Sequence, residues 1–112
     1  MGYKKASTDD VDSVVPEEYG GMWFLRDTLG AENVGVTVLE LEPDAKGKEH
    51  NHEHDGQEEV YLVVEGKIDV DLTDRDETVT LREDDAIRLD ADESRQIVNC
   101  GDVRAKLVLA GT

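Results

Sequence analysis

Apolar and polar residues alternate in short runs along most of this chain. In VGVTVLELE (34–42), Val34, Val36 and Val38 take every second place against smaller or polar residues. IDVDLT is cleaner still, with Ile68, Val70 and Leu72 on one side of an extended chain and Asp69 and Asp71 on the other. VYLVVE (60–65) is apolar on both faces. MWFLRD (22–27), ETVTLR (77–82), AIRLD (86–90), RQIVN (95–99) and AKLVLA (105–110) continue the series. Between the runs stand turn formers: LGAEN, then Pro43, Asp44 and Gly47, then the Gly66-Lys67 pair. Strands at roughly ten-residue spacing, with no convincing amphipathic helix, predict an all-β sandwich or barrel. Residues 1–20 are polar and broken by Pro16 and Gly20-Gly21, so they read as an N-terminal arm that packs on the body or pairs with another chain. Residues 21–112 then form a single β-barrel domain, consistent with a length of 112 residues.

Charge adds a constraint the pattern does not contain. Twenty-eight Asp and Glu against twelve Lys and Arg give a net charge of −16, spread over the whole length. Such a surface excludes nucleic acid and anionic membrane as partners. Self-repulsion at this density destabilises a compact chain in dilute buffer, whereas at molar salt the screening length falls to about 3 Å. A halophilic, salt-adapted cytoplasmic protein is the expectation. The lone Cys100 has no partner for a disulfide or a CxxC motif and fits a reducing compartment. No run approaches the roughly 20 apolar residues of a membrane helix, and the N-terminus lacks a signal-peptide core.

Candidate chemistry gathers in EHNHEHDGQEEVYLVVEG (49–66), which holds all three histidines of the chain. On an extended strand, side chains at i and i+2 share a face about 6.6 Å apart, close enough for two imidazoles to share an ion. His50 and His54 are about 13 Å apart on that geometry, so the ligating pair is His50 with His52 or His52 with His54. A carboxylate from Glu58 or Glu59 completes a two-His-one-carboxylate face suited to Fe(II), and to Mn, Ni or Zn with added water. Local spacing does not choose among these.

HEHDGQEEVYLVVEG resembles the first conserved motif of the cupins, in which HxH, four residues, Glu, six residues and Gly follow in order. His52, His54, Glu59 and Gly66 fall on those places. The resemblance implies a small antiparallel double-stranded β-helix, or jelly-roll barrel, with His52, His54 and Glu59 as inward-pointing metal ligands and His50 and Glu58 as neighbours of the site. It covers roughly residues 34–110. The second cupin motif is present in altered form in LREDDAIRLDADESRQIVN: Asp84-Asp85 stands for its Gly-Asp turn, Asp90 for the proline, Asp92 for the glycine, and Asn99 for the asparagine. Where that motif has its fourth ligand, a histidine, this chain has Arg95. Arg stays protonated and offers only donors, so it is no ligand.

Arg95 therefore either pairs with Glu59, leans aside, or holds an anionic ligand beside the metal. Two functions follow from this reading. One is a barrel that binds a divalent metal (Fe, Mn, Ni or Zn) and a small anionic molecule, with Arg95 and Tyr61 as substrate contacts. The other is a noncatalytic ligand-binding or sensing barrel without tightly bound metal. Tyr61 and Val63 share the inward face with Glu59, whereas Val60, Leu62 and Val64 point outward; an apolar outer face is expected to be covered by a second subunit, giving a homodimer.

Overall fold

The computed structural model describes residues 2–112. Eight strands form within a residue or two of where the alternation places them, except at the first. They are β1 (Gly20–Phe24), β2 (Gly35–Leu41), β3 (Glu59–Glu65), β4 (Ile68–Leu72), β5 (Glu77–Leu81), β6 (Ala86–Leu89), β7 (Arg95–Val98) and β8 (Ala105–Gly111). β1 begins at Gly20, inside the segment read as an arm, and ends at Phe24 rather than Asp27. Gly20 has φ 132°, and a Cβ there would sit 1.9 Å from the Glu40 carbonyl oxygen, so only glycine lets this strand lie against β2. After Leu25 the chain makes one helical turn, α1 (Arg26–Leu29), closed by Gly30 at φ 66°.

The strands form two antiparallel sheets, one in the order β1-β2-β8-β3-β6 and the other β5-β4-β7. Together they make the double-stranded β-helix. Residues 46–52 run antiparallel to β7: His50 and Arg95 exchange backbone hydrogen bonds, Gly47 N–H donates to Ile97, and His52 N–H donates to Ala91. The alternation explains the interior. Ile68, Val70, Leu81, Val63, Leu107 and Tyr61 are all buried between the sheets, where removal of apolar area from water is worth about 25 cal/mol per Å². Gly66, the motif glycine, turns β3 into β4 at φ 82°, with its Cα facing the Ala105 backbone.

The apolar alternates of β2 lie on the opposite side, a result that strand pattern alone leaves open. In-register pairing aligns Trp23, Val38, Val108, Leu62 and Ala86 in one row across the outer surface of the five-stranded sheet. Val36, Ala110 and Val60 make the next row. The Trp23 indole lies over Gly21, where a Cβ would meet it at 2.2 Å. Thus the outward face of β3 belongs to a broad apolar surface rather than to one strand. Among the described residues no helix is long and apolar enough to cross a membrane.

Acidic residues occupy the turns and polar faces. Asp44, Asp76 and Asp84 all have positive φ, at 70°, 54° and 70°. Asp tolerates this region better than most residues because its short side chain bonds locally. Asp84 stands where the second motif expects glycine, so the glycine-type backbone is kept while the residue has become acidic.

Candidate metal centre

The extended segment 46–52 brings Lys46, Lys48, His50 and His52 to the cavity wall, and β3 brings Glu59 and Tyr61. Ligand atoms of His50, His52 and Glu59 lie within 4.8 Å of one another. His52 Nε2 is 3.1 Å and His50 Nε2 3.6 Å from Glu59 Oε1, and the two imidazoles meet edge to face with centroids 5.1 Å apart. Both rings are aimed by their other nitrogen. His50 Nδ1 lies 2.9 Å from the Lys48 carbonyl, which can only accept, so Nδ1 carries a proton and Nε2 is the ring atom turned to Glu59. His52 Nδ1 is 3.2 Å from Asp55 Oδ2 and is fixed in the same sense. Acceptor–histidine pairs of this kind orient metal-binding imidazoles and raise their basicity. Two neutral Nε2 atoms and a carboxylate converging on one point fit a borderline divalent ion with open positions for water.

His54 also lines the cavity but stands apart from the His50, His52 and Glu59 cluster. The chain leaves the sheet at His52, whose carbonyl accepts from both Asp55 N–H and Gly56 N–H, closing a tight turn. His54 sits on that turn with its side chain 80% exposed, 3.8 Å from Asp55. The structure thus brings His50 rather than His54 beside His52 and Glu59, where the resemblance implied His52 with His54 and His50 as a neighbour. Three histidines at alternate positions offer two equivalent HxH pairs. Counting back from Glu59 selects His52 with His54, whereas pairing of residues 46–52 with β7 brings His50 beside His52 and Glu59. Glu58 faces the outer surface and pairs with Arg88 at 3.4 Å, away from the cluster.

Arg95 takes the first of the three arrangements open to it, pairing with Glu59. It is completely buried, absent from the cavity wall, and engaged through four of its five N–H donors. Nη2 donates to Glu59 Oε1 at 2.9 Å, Nε to the Tyr61 hydroxyl at 3.3 Å, and Nη1 to the carbonyls of Glu93 at 2.5 Å and Asp90 at 3.4 Å. Tyr61 in turn donates to Glu59 Oε1 at 3.2 Å. Four of its five N–H donors are taken and the guanidinium lies behind the cavity wall, so Arg95 acts on the site through Glu59 and Tyr61. Burial by itself pushes the Glu59 carboxyl up, yet the His50 contact and the charges of His52 and Arg95 outweigh it and hold Glu59 below its ordinary value. The same Glu59 contact raises His50 above its ordinary value against the effect of burial. Burial pushes the Tyr61 phenol up to about 12, keeping it a neutral hydrogen-bond donor.

A cavity of about 680 Å³ opens beside this cluster, within the size range of small-molecule sites. Its far wall is apolar, formed by Met22, Leu39, Leu41, Ile97 and Leu109. Tyr19 and Phe24, about half exposed, stand at its edge, as does Val14 of the N-terminal segment. That segment is tied to β1 through the Ser13 hydroxyl, which accepts from Met22 N–H at 2.9 Å, and through Val14 N–H, which donates to the Met22 carbonyl. Asn99, the residue matching the second motif, lies away from the cavity wall. Its buried amide donates to Leu41 and Val103 carbonyls and accepts from Gly101 N–H, tying the end of β7 to β2 and the loop before β8.

The Cupin_2 family model (Cupin domain) matches residues 37–111. Among solved structures, a cupin protein from Bacteroides fragilis is 23% identical, with TM-score 0.80 over 100% of this chain and 85% of that one. A sugar phosphate isomerase of the cupin superfamily from Silicibacter pomeroyi is 24% identical, with TM-score 0.75 over 97% and 75% of the two chains. The polyketide cyclase RemF from Streptomyces resistomycificus is 24% identical, with TM-score 0.77 over 96% and 78%. No curated protein matches the chain. At these identities the neighbours carry the fold alone, but the family match spans most of the barrel, and the chain belongs to the cupin family.

Proposed function

We propose that this cupin binds a divalent metal through His50, His52 and Glu59 and a small anionic molecule in the adjoining cavity. The observation that carries the reading is the convergence of three ligand atoms within 4.8 Å, with both imidazoles already turned to present Nε2, at the wall of an open cavity. A bound Fe, Mn, Ni or Zn ion would act as a Lewis acid toward a ligand oxygen. The chain's own contributions are to hold the imidazoles by Lys48 and Asp55, to hold Glu59 by Arg95 and Tyr61, and to exclude water along the apolar wall. Elemental analysis of chelator-free, untagged protein tests this. Wild type and His54→Ala should carry metal in stoichiometric amount and His50→Ala should not; metal-free wild type, or retention by His50→Ala, would remove the reading.

One observation favours a second reading. Arg95 and Glu59 already form an ion pair at 2.9 Å, so a barrel that binds its ligand without tight metal is internally satisfied. Metal-independent ligand binding in His50→Ala would support it.

The apolar outer rows centred on Val38, Val108 and Leu62 support a homodimer packed sheet to sheet. The evenly spread charge of −16 supports life in a salt-rich cytoplasm. Unfolding free energy should then rise steeply from about 0.1 to about 2 M KCl as screening grows; a flat response would exclude the salt-adapted reading.

A further inference from the structure

The cavity wall has a charge opposite to that of the protein. Twenty-eight of 112 residues are acidic, yet Glu59 is the one acid lining this cavity among the described residues, and it is already held by Arg95. The lining also holds Lys46, Lys48 and Arg26. These three are not equivalent. Arg26 donates to the carbonyls of Ala31 and Glu32, and Lys46 also borders a shallow depression containing Glu42 and Asp44. The Lys48 ammonium takes part in no ion pair among the described residues. Strand alternation puts Lys48 on the same face as His50, one step away at about 6.6 Å between Cα atoms.

We propose that Lys48 is the anion-recognition residue of the cavity, and that the ligand class is a monocarboxylate with an apolar body. The inference deepens the proposed function and rests on its cavity. It replaces Arg95, which is completely buried behind the cavity wall with four of its five donors taken. The charge of the ligand follows from the donors on offer. The N–H groups of Gly47 and His50 are spent on β7 and that of His52 on Ala91, so these three offer no backbone cradle of the kind that holds phosphate. A separated ammonium matches a single negative charge. The body follows from the opposite wall, where Met22, Leu39, Leu41 and Ile97 offer apolar surface, and from Phe24 and Val14, which are exposed at its edge. In a protein of charge −16, this locally cationic wall also gives an anion a place to dock that the rest of the surface denies it.

Calorimetric titration of the full chain with 4-phenylbutyrate, its primary amide and acetate, at one ionic strength, tests the proposal. The acid should bind at least tenfold more tightly than the amide, and acetate should bind far more weakly than either. Lys48→Met should weaken the acid fivefold to tenfold and leave the amide and the melting temperature unchanged. Equal affinity for acid and amide, an equal loss for both in Lys48→Met, or acetate binding as tightly as phenylbutyrate would each overturn it. The His50→Ala variant separates this from the metal reading. Acid selectivity that persists there with Lys48 dependence sustains the proposal even if the protein proves metal-free; selectivity that disappears with the metal places the carboxylate on the ion and overturns the role of Lys48.

Discussion

Replacing Arg95 with Met removes a cation that holds Glu59 and, by the same geometry, opposes a metal ion. Its guanidinium is completely buried, and Glu59 is 12% exposed, so the pair is shielded from bulk screening. Breaking a buried ion pair by removing one partner costs about 3–5 kcal/mol, because the other charge is left behind. Glu59 keeps Tyr61 and the two imidazoles as partners and borders the cavity, so the lower end, about 3 kcal/mol, is expected. Spread over a chain of this length, that lowers the melting temperature by about 10–15 °C.

Metal affinity should move the other way. Unit charges about 4 Å apart interact by about 4 kcal/mol at an effective dielectric of 20, so a dication facing a guanidinium is opposed by about 8 kcal/mol before relaxation. If a fifth of that survives, the metal-free site without Arg95 binds about tenfold more tightly. Urea unfolding of chelated protein measures the first effect, and competition for zinc against a chromophoric chelator measures the second. Arg95→Lys separates them, since it keeps the charge but loses the planar fork: stability should fall while zinc affinity stays near wild type. A stability change below about 1 kcal/mol with unchanged zinc affinity in Arg95→Met would show that this cation neither holds Glu59 nor faces the ion.

Asn99→Ala strands the Leu41 and Val103 carbonyls and Gly101 N–H in a buried knot; at about 1–3 kcal/mol for each unsatisfied group that water cannot reach, a loss near 3 kcal/mol is expected in urea unfolding, and a loss under about 1 kcal/mol would refute the knot. The site imposes a pH window on the metal-free protein. His50, raised from 6.5 by Glu59, contributes stability that is complete below 6.5 and lost as pH climbs through its folded value. Glu59, held below 4.5 with burial opposed by His50, His52 and Arg95, contributes stability that is present above 4.5 and lost as pH falls through its lower folded value. Stability attributable to this pair should therefore be greatest between 4.5 and 6.5, and Glu59→Gln should flatten the profile there in pH-dependent melting. Leu62→Lys, at the centre of the outer apolar row, should convert a dimer to monomer in light scattering at unchanged metal content; a monomeric wild type would refute the sheet-to-sheet contact.

The strands were legible because their signal is local and redundant. Ile68, Val70 and Leu72 predict β4 whichever neighbours it takes, since a one-residue slip would send all three to solvent. β1 was misplaced because Arg26–Leu29 is apolar-polar mixed and short, so the single helical turn leaves no periodic trace. Glu59 and Gly66 were legible because both stand on one rigid hairpin, where counting along the chain is counting through space. The histidines precede a turn, where that equivalence ends. Choosing His50 required knowing that residues 46–52 pair with β7, a contact forty-odd positions away between His50 and Arg95. Even so, a trace existed: Lys46, Lys48, His50 and His52 alternate as one polar face, and His54 does not continue it through Asp55-Gly56.

The acidic substitutions divide by what each backbone position demands. Asp84 sits at φ 70° in a turn where the motif has glycine, and Asp90 stands for the motif's proline on an exposed end. Both positions need a backbone shape that Asp can adopt and place no side chain inside, so a pressure toward negative charge can change them at small cost. The interior follows another rule. A carboxylate added to the cavity wall would join Glu59 with one guanidinium between them and would repel the anion that Lys48 is placed to bind. A wall kept basic in so acidic a chain is therefore not explained by salt adaptation, which acts in the opposite direction. That contrast is what supports the proposed anionic occupant of the barrel.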